Sequence, residues 1–253
     1  MKRICTVQFG GYKKDNYKKL LNAFSRSCAE NMPNVIFDEI IVPDQERDYH
    51  MSWVQQSNTI KLKLWYDYML NAKDTVIFAD CDMIATGDAS VIDKADFDIA
   101  YAGSNKTKTP MNGGIIIAKP TAAARNFFRS WVKHNDIILT QPSEFKKYSK
   151  WAGQNQRAFG RMLDVDKPDC KMLQLDPVVW NATDSYWDKI NNETIFIHIK
   201  GQLRKLLLDE KQPCSIYKKA MLKWYQYSDA DMKKLEAKWK QERPFPRIPN
   251  RWA

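Results

Sequence analysis

The sequence predicts an α/β protein: a doubly wound, mostly parallel central sheet flanked by helices, with a basic helical appendage at the C-terminus. Three observations predict it. Short apolar runs of strand length alternate with segments whose apolar residues recur at helical spacing, the pattern of βαβ units. The chain has 253 residues, 44% of them hydrophobic, which is enough for one large α/β domain or one domain plus an appendage. Beyond about residue 207 the alternation stops and Lys-rich, aromatic segments take over. The expected division is therefore an α/β domain over 1–206 and a basic aromatic helical extension over 207–253.

A first strand is expected over 4–9, closed by the turn Gly10-Gly11-Tyr12. A helix follows over 15–28, where Tyr17, Leu20, Leu21 and Phe24 share one face. Residues 35–42 read as a second strand. Residues 43–58 are polar and read as a loop, and 60–70 as an amphipathic helix. The buried run 76–79 is a strand that ends in Asp80-Cys81-Asp82. Further short strands are expected over 97–102 and 114–118, helices over 121–134 and 154–163, and late strands over 172–175 and 194–199. One or two helices are expected within 215–242. Three prolines between Arg243 and Trp252 bar regular structure there.

The formal charge is +10, and residues 218–253 hold ten Lys/Arg against four Asp/Glu. An anionic partner is expected: nucleotide, nucleic acid or membrane surface. A solvated basic face without a partner is the bland alternative. The five cysteines (5, 28, 81, 170 and 214) form no CxxC pair, so neither a zinc site nor a disulfide framework is indicated. Reduced thiols, no signal-like N-terminus and no apolar run of membrane-spanning length lead to an expected cytoplasmic location without a transmembrane segment. Sequons such as Asn181-Ala-Thr are then read as chance.

Three segments carry chemistry. Asp80 and Asp82 stand at the C-terminal end of a buried strand, the edge of an α/β sheet where ligands bind. Paired carboxylates there suit a hard divalent cation and leave room for phosphate oxygens; a solvated loop would show the same residues. In Met111-Asn112-Gly113-Gly114, two glycines before a strand allow close approach of a ligand to backbone, although an ordinary turn also uses them. In His198-Ile199-Lys200-Gly201-Gln202-Leu203-Arg204-Lys205, a strand-ending imidazole can complete a Mn²⁺ shell. The glycine and the cations after it can hold a diphosphate.

The order of these pieces (strand and Gly-Gly turn, Lys-rich helix, Asp-x-Asp, Asn-Gly-Gly, an Asn-Gln helix start, Trp-Asn, and His-x-x-Gly-x-x-Arg) resembles the GT-A nucleotide-sugar glycosyltransferases. The resemblance is closest to the retaining glycogenin-like and lipopolysaccharide galactosyltransferase-like branch, and it covers about residues 3–206. It implies a GT-A-type sheet and a nucleotide-sugar-binding catalytic domain over 1–206. It also implies Asp80, Asp82 and His198 as ligands of Mn²⁺ or Mg²⁺. Gly201, Arg204 and Lys205 match the diphosphate site. Thr6, Val7 and Gln8 fall where the family contacts the nucleobase, and Tyr17 where an aromatic stacks on it. Lys61 or Lys63 matches a basic donor contact. Asn112, Gly113, Asn155 and Gln156 match the surroundings of the transferred sugar, so Asp80, Asp82, Asn112 and Gln156 are the expected catalytic residues. Three departures stand out: Arg204-Lys205-Leu206 replaces the family's Lys-Pro-Trp, Asn155 replaces an acid, and Cys81 replaces a small apolar residue. Donor identity therefore does not carry over.

The expected reaction is transfer of a sugar from a nucleoside diphosphate, with UDP expected, to an acceptor hydroxyl with retention. Nucleic acid, in the form of a hydroxylated base in bacteriophage DNA within an infected bacterial cytosol, is slightly favoured as the acceptor. The alternative acceptor is a lipid-linked or lipopolysaccharide saccharide at the cytosolic membrane face. A haloacid-dehalogenase-type phosphatase and a non-catalytic nucleotide-sugar-binding module are further alternatives. The phosphatase would carry its Asp-x-Asp after the first strand, whereas about 75 residues precede it here.

Overall fold

Eight strands and nine α-helices are ordered along the chain as β1 (Lys2–Phe9), α1 (Lys14–Asn31), β2 (Val35–Val42), α2 (Trp53–Asn71), β3 (Thr75–Ala79), β4 (Met83–Ala85), β5 (Ile99–Gly103), β6 (Met111–Ala118), α3 (Ala122–Thr140), α4 (Pro142–Lys147), α5 (Gln154–Val165), β7 (Met172–Leu175), α6 (Pro177–Trp180), β8 (Phe196–His198), α7 (Gly201–Leu208), α8 (Lys218–Tyr227) and α9 (Met232–Gln241). These counts hold for the residues that the computed structural model describes: 1–10, 14–45, 51–103, 111–149, 151 and 153–241. The expected turn at Gly11-Tyr12, residues 46–50 of the expected loop and the proline-rich stretch 243–252 lie outside them.

The main sheet has the order β2-β1-β3-β6-β5-β7. β6 runs antiparallel to both neighbours, and the other pairings are parallel, so five of six strands point the same way. The expected mostly parallel sheet is the one observed. The stretches 76–79 of β3 and 115–118 of β6, at its centre, are apolar because both faces are covered. On β3, Val76 and Phe78 face one cluster with Leu62, Trp65, Phe127, Phe128, Trp131 and Phe159. Ile77 and Ala79, one step out of phase, face the other cluster with Ile4, Phe24 and Phe196. The same alternation sends Ile116 and Ala118 of β6 to the first cluster and Ile115 and Ile117 to the second.

β4, α4, α6 and α7 are not among the elements expected from the sequence, and two further segments differ from that reading. Residues 53–58 are helix rather than loop. Ser52 accepts from the Gln55 backbone N–H at 3.2 Å, and the Gln55 side chain accepts from Ser52 N–H at 2.9 Å, a capping box that starts α2 at Trp53. Asn112-Gly113-Gly114 lies within β6, not in a turn before it. The five cysteines are free thiols.

The C-terminal helices are packed, not appended loosely. Leu20 and Ala23 of α1, Trp187, Leu203 and Leu207 share a third cluster with Met221, Trp224, Tyr225, Tyr227, Leu235 and Trp239. Arg26 pairs with Asp229 at 2.5 Å, Asn31 donates to the Tyr227 hydroxyl at 2.8 Å, and Trp239 Nε1 donates to the Glu210 carbonyl at 3.1 Å. The aromatic residues of this segment thus face inward, while Lys218, Lys219, Lys233, Lys234 and Lys240 are exposed. The boundary expected after residue 206 falls inside α7.

α5 is seated by close packing. A Cβ at Gly160 would lie 2.2 Å from Trp151 Cε2, and Trp151 is buried. Gly160→Ala should therefore cost about 1–3 kcal/mol, the usual cost of overpacking. Urea unfolding followed by Trp fluorescence should show a lower midpoint with an unchanged slope; an unchanged midpoint would contradict this packing.

Candidate active site

β3 ends at Ala79, and the next three residues carry the chain into β4. Asp80 N–H donates to the Gly114 carbonyl at 3.0 Å, which pins the first carboxylate to β6. Asp82 is held from the other side: Ile199 N–H donates to its carbonyl at 2.7 Å. The antiparallel β4–β8 register sets Met83 opposite His198. The imidazole consequently falls beside both carboxylates, with Nε2 3.2 Å from Asp82 Oδ1 and 3.7 Å from Asp80 Oδ2. One ligand atom from each residue lies within 4.8 Å of the others. Two hard oxygens and one imidazole nitrogen fit a divalent ion such as Mn²⁺.

His198 is positioned by its neighbours. Nδ1 lies 3.0 Å from Asn181 Oδ1, and both residues are buried. A carbonyl oxygen only accepts, so Nδ1 carries the proton and Nε2 faces the carboxylates. A Cβ at position 114 would lie 2.6 Å from His198 Nδ1 and 3.1 Å from Asn181 Oδ1. Gly114 therefore makes room for the ring.

Each carboxylate also has a cation. Lys61 Nζ is 2.5 Å from Asp80 Oδ1, and Arg204 Nη2 is 2.5 Å from Asp82 Oδ2. Arg204 is held further by the Tyr17 hydroxyl at 2.7 Å and the Ile199 carbonyl at 3.2 Å. Burial alone would raise the Asp82 pKa, but the charge and hydrogen bond of His198, with Arg204 and Lys61, hold it at about 2. Burial pushes the Cys81 thiol up, so it is un-ionised and acts as packing.

These residues line a cavity of about 430 Å³. Of the sequence-predicted donor residues, Val7, Tyr17, Lys61, Asn112, Gly113, Asn155, Gln156 and Arg204 line it with Asp80, Asp82 and His198. Thr6 and Gln8 do not, because strand alternation turns Val7 and Phe9 toward the cavity and Thr6 and Gln8 to the opposite face. Lys63 pairs with Asp136 at 3.2 Å on the outer side of α2, so Lys61 is the lysine that reaches the carboxylates. Gly201 and Lys205 are exposed and outside the lining, where Lys200 appears instead. Gln156 donates through Nε2 to the Met111 carbonyl, and the Asn155 carbonyl accepts from Trp131 Nε1 at 2.8 Å.

Sequence reasoning missed Phe9, Trp53, Ser57, Asn58, Trp65, Trp131 and Gln154, which also line the cavity. The Ser52-x-x-Gln55 capping signal would have placed 53–58 on α2 and so beside the site. Trp65 and Trp131 read as ordinary core residues, and nothing local marked them.

No protein-family model matches the sequence. No curated protein matches it either. Solved structures do match in three dimensions. A glycosyltransferase involved in glycosylation of the major capsid of PBCV-1 superposes with TM-score 0.56 at 10% identity, covering 81% of this chain and 95% of that one. The galactosyltransferase LgtC, solved with donor and acceptor sugar analogs, matches with TM-score 0.57 at 11% identity over 93% of this chain and 99% of its own. The glycosyltransferase GlyE of Streptococcus pneumoniae TIGR4 matches with TM-score 0.57 at 12% identity, over 95% of this chain and 64% of GlyE. The chain therefore has the GT-A fold of these proteins.

The lowered Asp82 pKa links stability to pH. Its ionisation contributes stability that is fully present above the unfolded carboxylate value near ~3.9 and is lost as pH falls through about 2. In acid titrations followed by circular dichroism, Asp82→Asn should lose less stability over this interval than the parent. Identical acid limbs would contradict the charge arrangement.

Proposed function

We propose that the protein is a metal-dependent glycosyltransferase that moves a sugar from a nucleoside-diphosphate donor to an acceptor hydroxyl. UDP is the expected nucleotide and Mn²⁺ or Mg²⁺ the expected ion. One observation carries the reading: Asp80, Asp82 and His198 converge on a cavity within a GT-A fold. At the strand end, the chain's residues would bind the donor diphosphate. Lys61 and Arg204 lie beside the carboxylates, where they would neutralise phosphate oxygens as the bond to the sugar breaks. A bound divalent ion would supply Lewis-acid stabilisation of the leaving diphosphate.

The cavity lining supports retention. Among the described residues, its carboxylates are Asp80 and Asp82, and both face cations or His198. Among the described residues that line the cavity, no further carboxylate is present to act as a nucleophile for a covalent sugar intermediate or as a base for the acceptor. The bond from the anomeric carbon to phosphate oxygen would break, and the acceptor oxygen would bond to the same face of that carbon. The acceptor proton would go to the leaving diphosphate.

The acceptor is anionic or lies on an anionic surface, as the exposed lysines of α8 and α9 suggest. Nucleic acid, such as a hydroxylated DNA base in a phage-infected bacterium, is our first reading. A membrane-borne saccharide is the second, favoured by Ile216 and Leu222, which are 51% and 45% exposed beside Lys218, Lys219 and Lys223.

Incubation with nucleotide sugars and Mn²⁺ should release nucleoside diphosphate, and Asp80→Ala should reduce that release by about 10³-fold or more while leaving the circular dichroism unchanged. Full activity in that variant, or in excess chelator, would sink the proposal. Phosphate release from a monoester would favour a phosphatase, and nucleotide binding without turnover a binding module. Salt-dependent binding to DNA, against binding to anionic vesicles, separates the two acceptors.

A further inference from the structure

β2 (Val35–Val42) is one edge of the main sheet, and it carries none of the features that keep a sheet edge from pairing again. Its eight residues pair with β1 without a register shift, and neither proline nor lysine interrupts them. Gly10 N–H donates to the Val42 carbonyl at 2.7 Å, so Val42 directs its main-chain groups at β1. Alternate residues of a strand turn those groups to opposite sides. Phe37, Glu39 and Ile41 therefore turn theirs outward, where they have no hydrogen-bond partner among the described residues. Ile41 is 67% exposed, and six of the eight residues are apolar. Such a row of alternating donors and acceptors is satisfied by another strand rather than by side chains.

Charge selects the strand that fits. The chain holds 40 Lys and Arg, yet none lies between Arg26 and Arg47. Two copies of a +10 chain repel one another least where this cation-free stretch lies between them. Asp38 is already held by Arg3 Nη1 at 2.9 Å and by the Tyr68 hydroxyl at 2.5 Å. Glu39 is then the strand's one charge without a partner among the described residues. A two-fold axis at Ile40 would set antiparallel copies with Ile40 against its counterpart, Glu39 against Ile41 and Asp38 against Val42, so that no two acids meet. Glu39 and Ile41 would exchange N–H···O bonds across the axis. We propose that the β2 edge is a dimer interface, at which a second copy of this chain pairs antiparallel and joins the two six-stranded sheets into one. The dimer does not depend on the glycosyltransferase reading.

The test is sedimentation velocity on the full chain. Across roughly 1–100 µM the parent should show a monomer–dimer equilibrium. Raising NaCl from about 50 mM to about 500 mM should tighten the dimer, because screening weakens the repulsion between two basic copies. Ile41→Pro removes an outward N–H and no bond to β1, a change that edge strands accept. Ile41→Lys is the second variant and places a charge on the edge; circular dichroism checks the fold of each. Both should weaken the dimer by about tenfold or more. In the parent, amide hydrogen exchange over 35–42 should slow by about tenfold from the lowest to the highest concentration. A parent that stays monomeric at every concentration would overturn the proposal and leave the edge to a strand from another protein. A dimer that the folded variants retain, or that loosens as salt rises, would overturn it as well.

Discussion

Everything at the candidate site depends on the pairing of β4 with β8. That three-residue ribbon brings His198 from late in the chain to within reach of Asp80 and Asp82. Glycine at position 114 and the Asn181 amide then fix the ring. The arrangement concentrates charge where little water reaches, since His198 and Asp82 are 4% and 5% exposed. Such groups are tolerated only as a set, because removing one partner leaves an uncompensated charge in a poorly solvated site. Lys61 and Arg204 complete the set, and each comes from a different helix.

A second constraint is aromatic. Trp131 packs on Phe127, Phe128 and Phe159, and its indole N–H holds the Asn155 carbonyl at the start of α5. The apolar core on that side of the sheet thereby locates the amides that border the cavity. A single hydrogen bond thus ties the aromatic core to the start of α5.

The C-terminal helices change the meaning of the charge read in the sequence. Ten Lys/Arg against four Asp/Glu over 218–253 suggested a basic aromatic tail. In the folded chain Trp224, Tyr225, Tyr227 and Trp239 belong to a cluster with α1, and lysines form the outer face. These aromatic rings are structural anchors, and the outward-facing side chains of the described part of this segment include lysines together with Ile216 and Leu222.

The sequence by itself determined most strands of the main sheet and the metal-ligand candidates Asp80, Asp82 and His198. Buried strands announce themselves as continuous apolar runs, and β3, β6 and the helices between strands follow from periodicity. Asp80, Asp82 and His198 were legible because chemistry demands those residue types at strand ends. Only tertiary structure decided between Lys61 and Lys63, turned Thr6 and Gln8 away, left Gly201 and Lys205 outside, and brought Trp65, Trp131 and Gln154 to the cavity. The reason is physical: a residue's type and period follow from its local chain, whereas the direction of its side chain depends on which face its element buries. That face is chosen by partners far away in sequence.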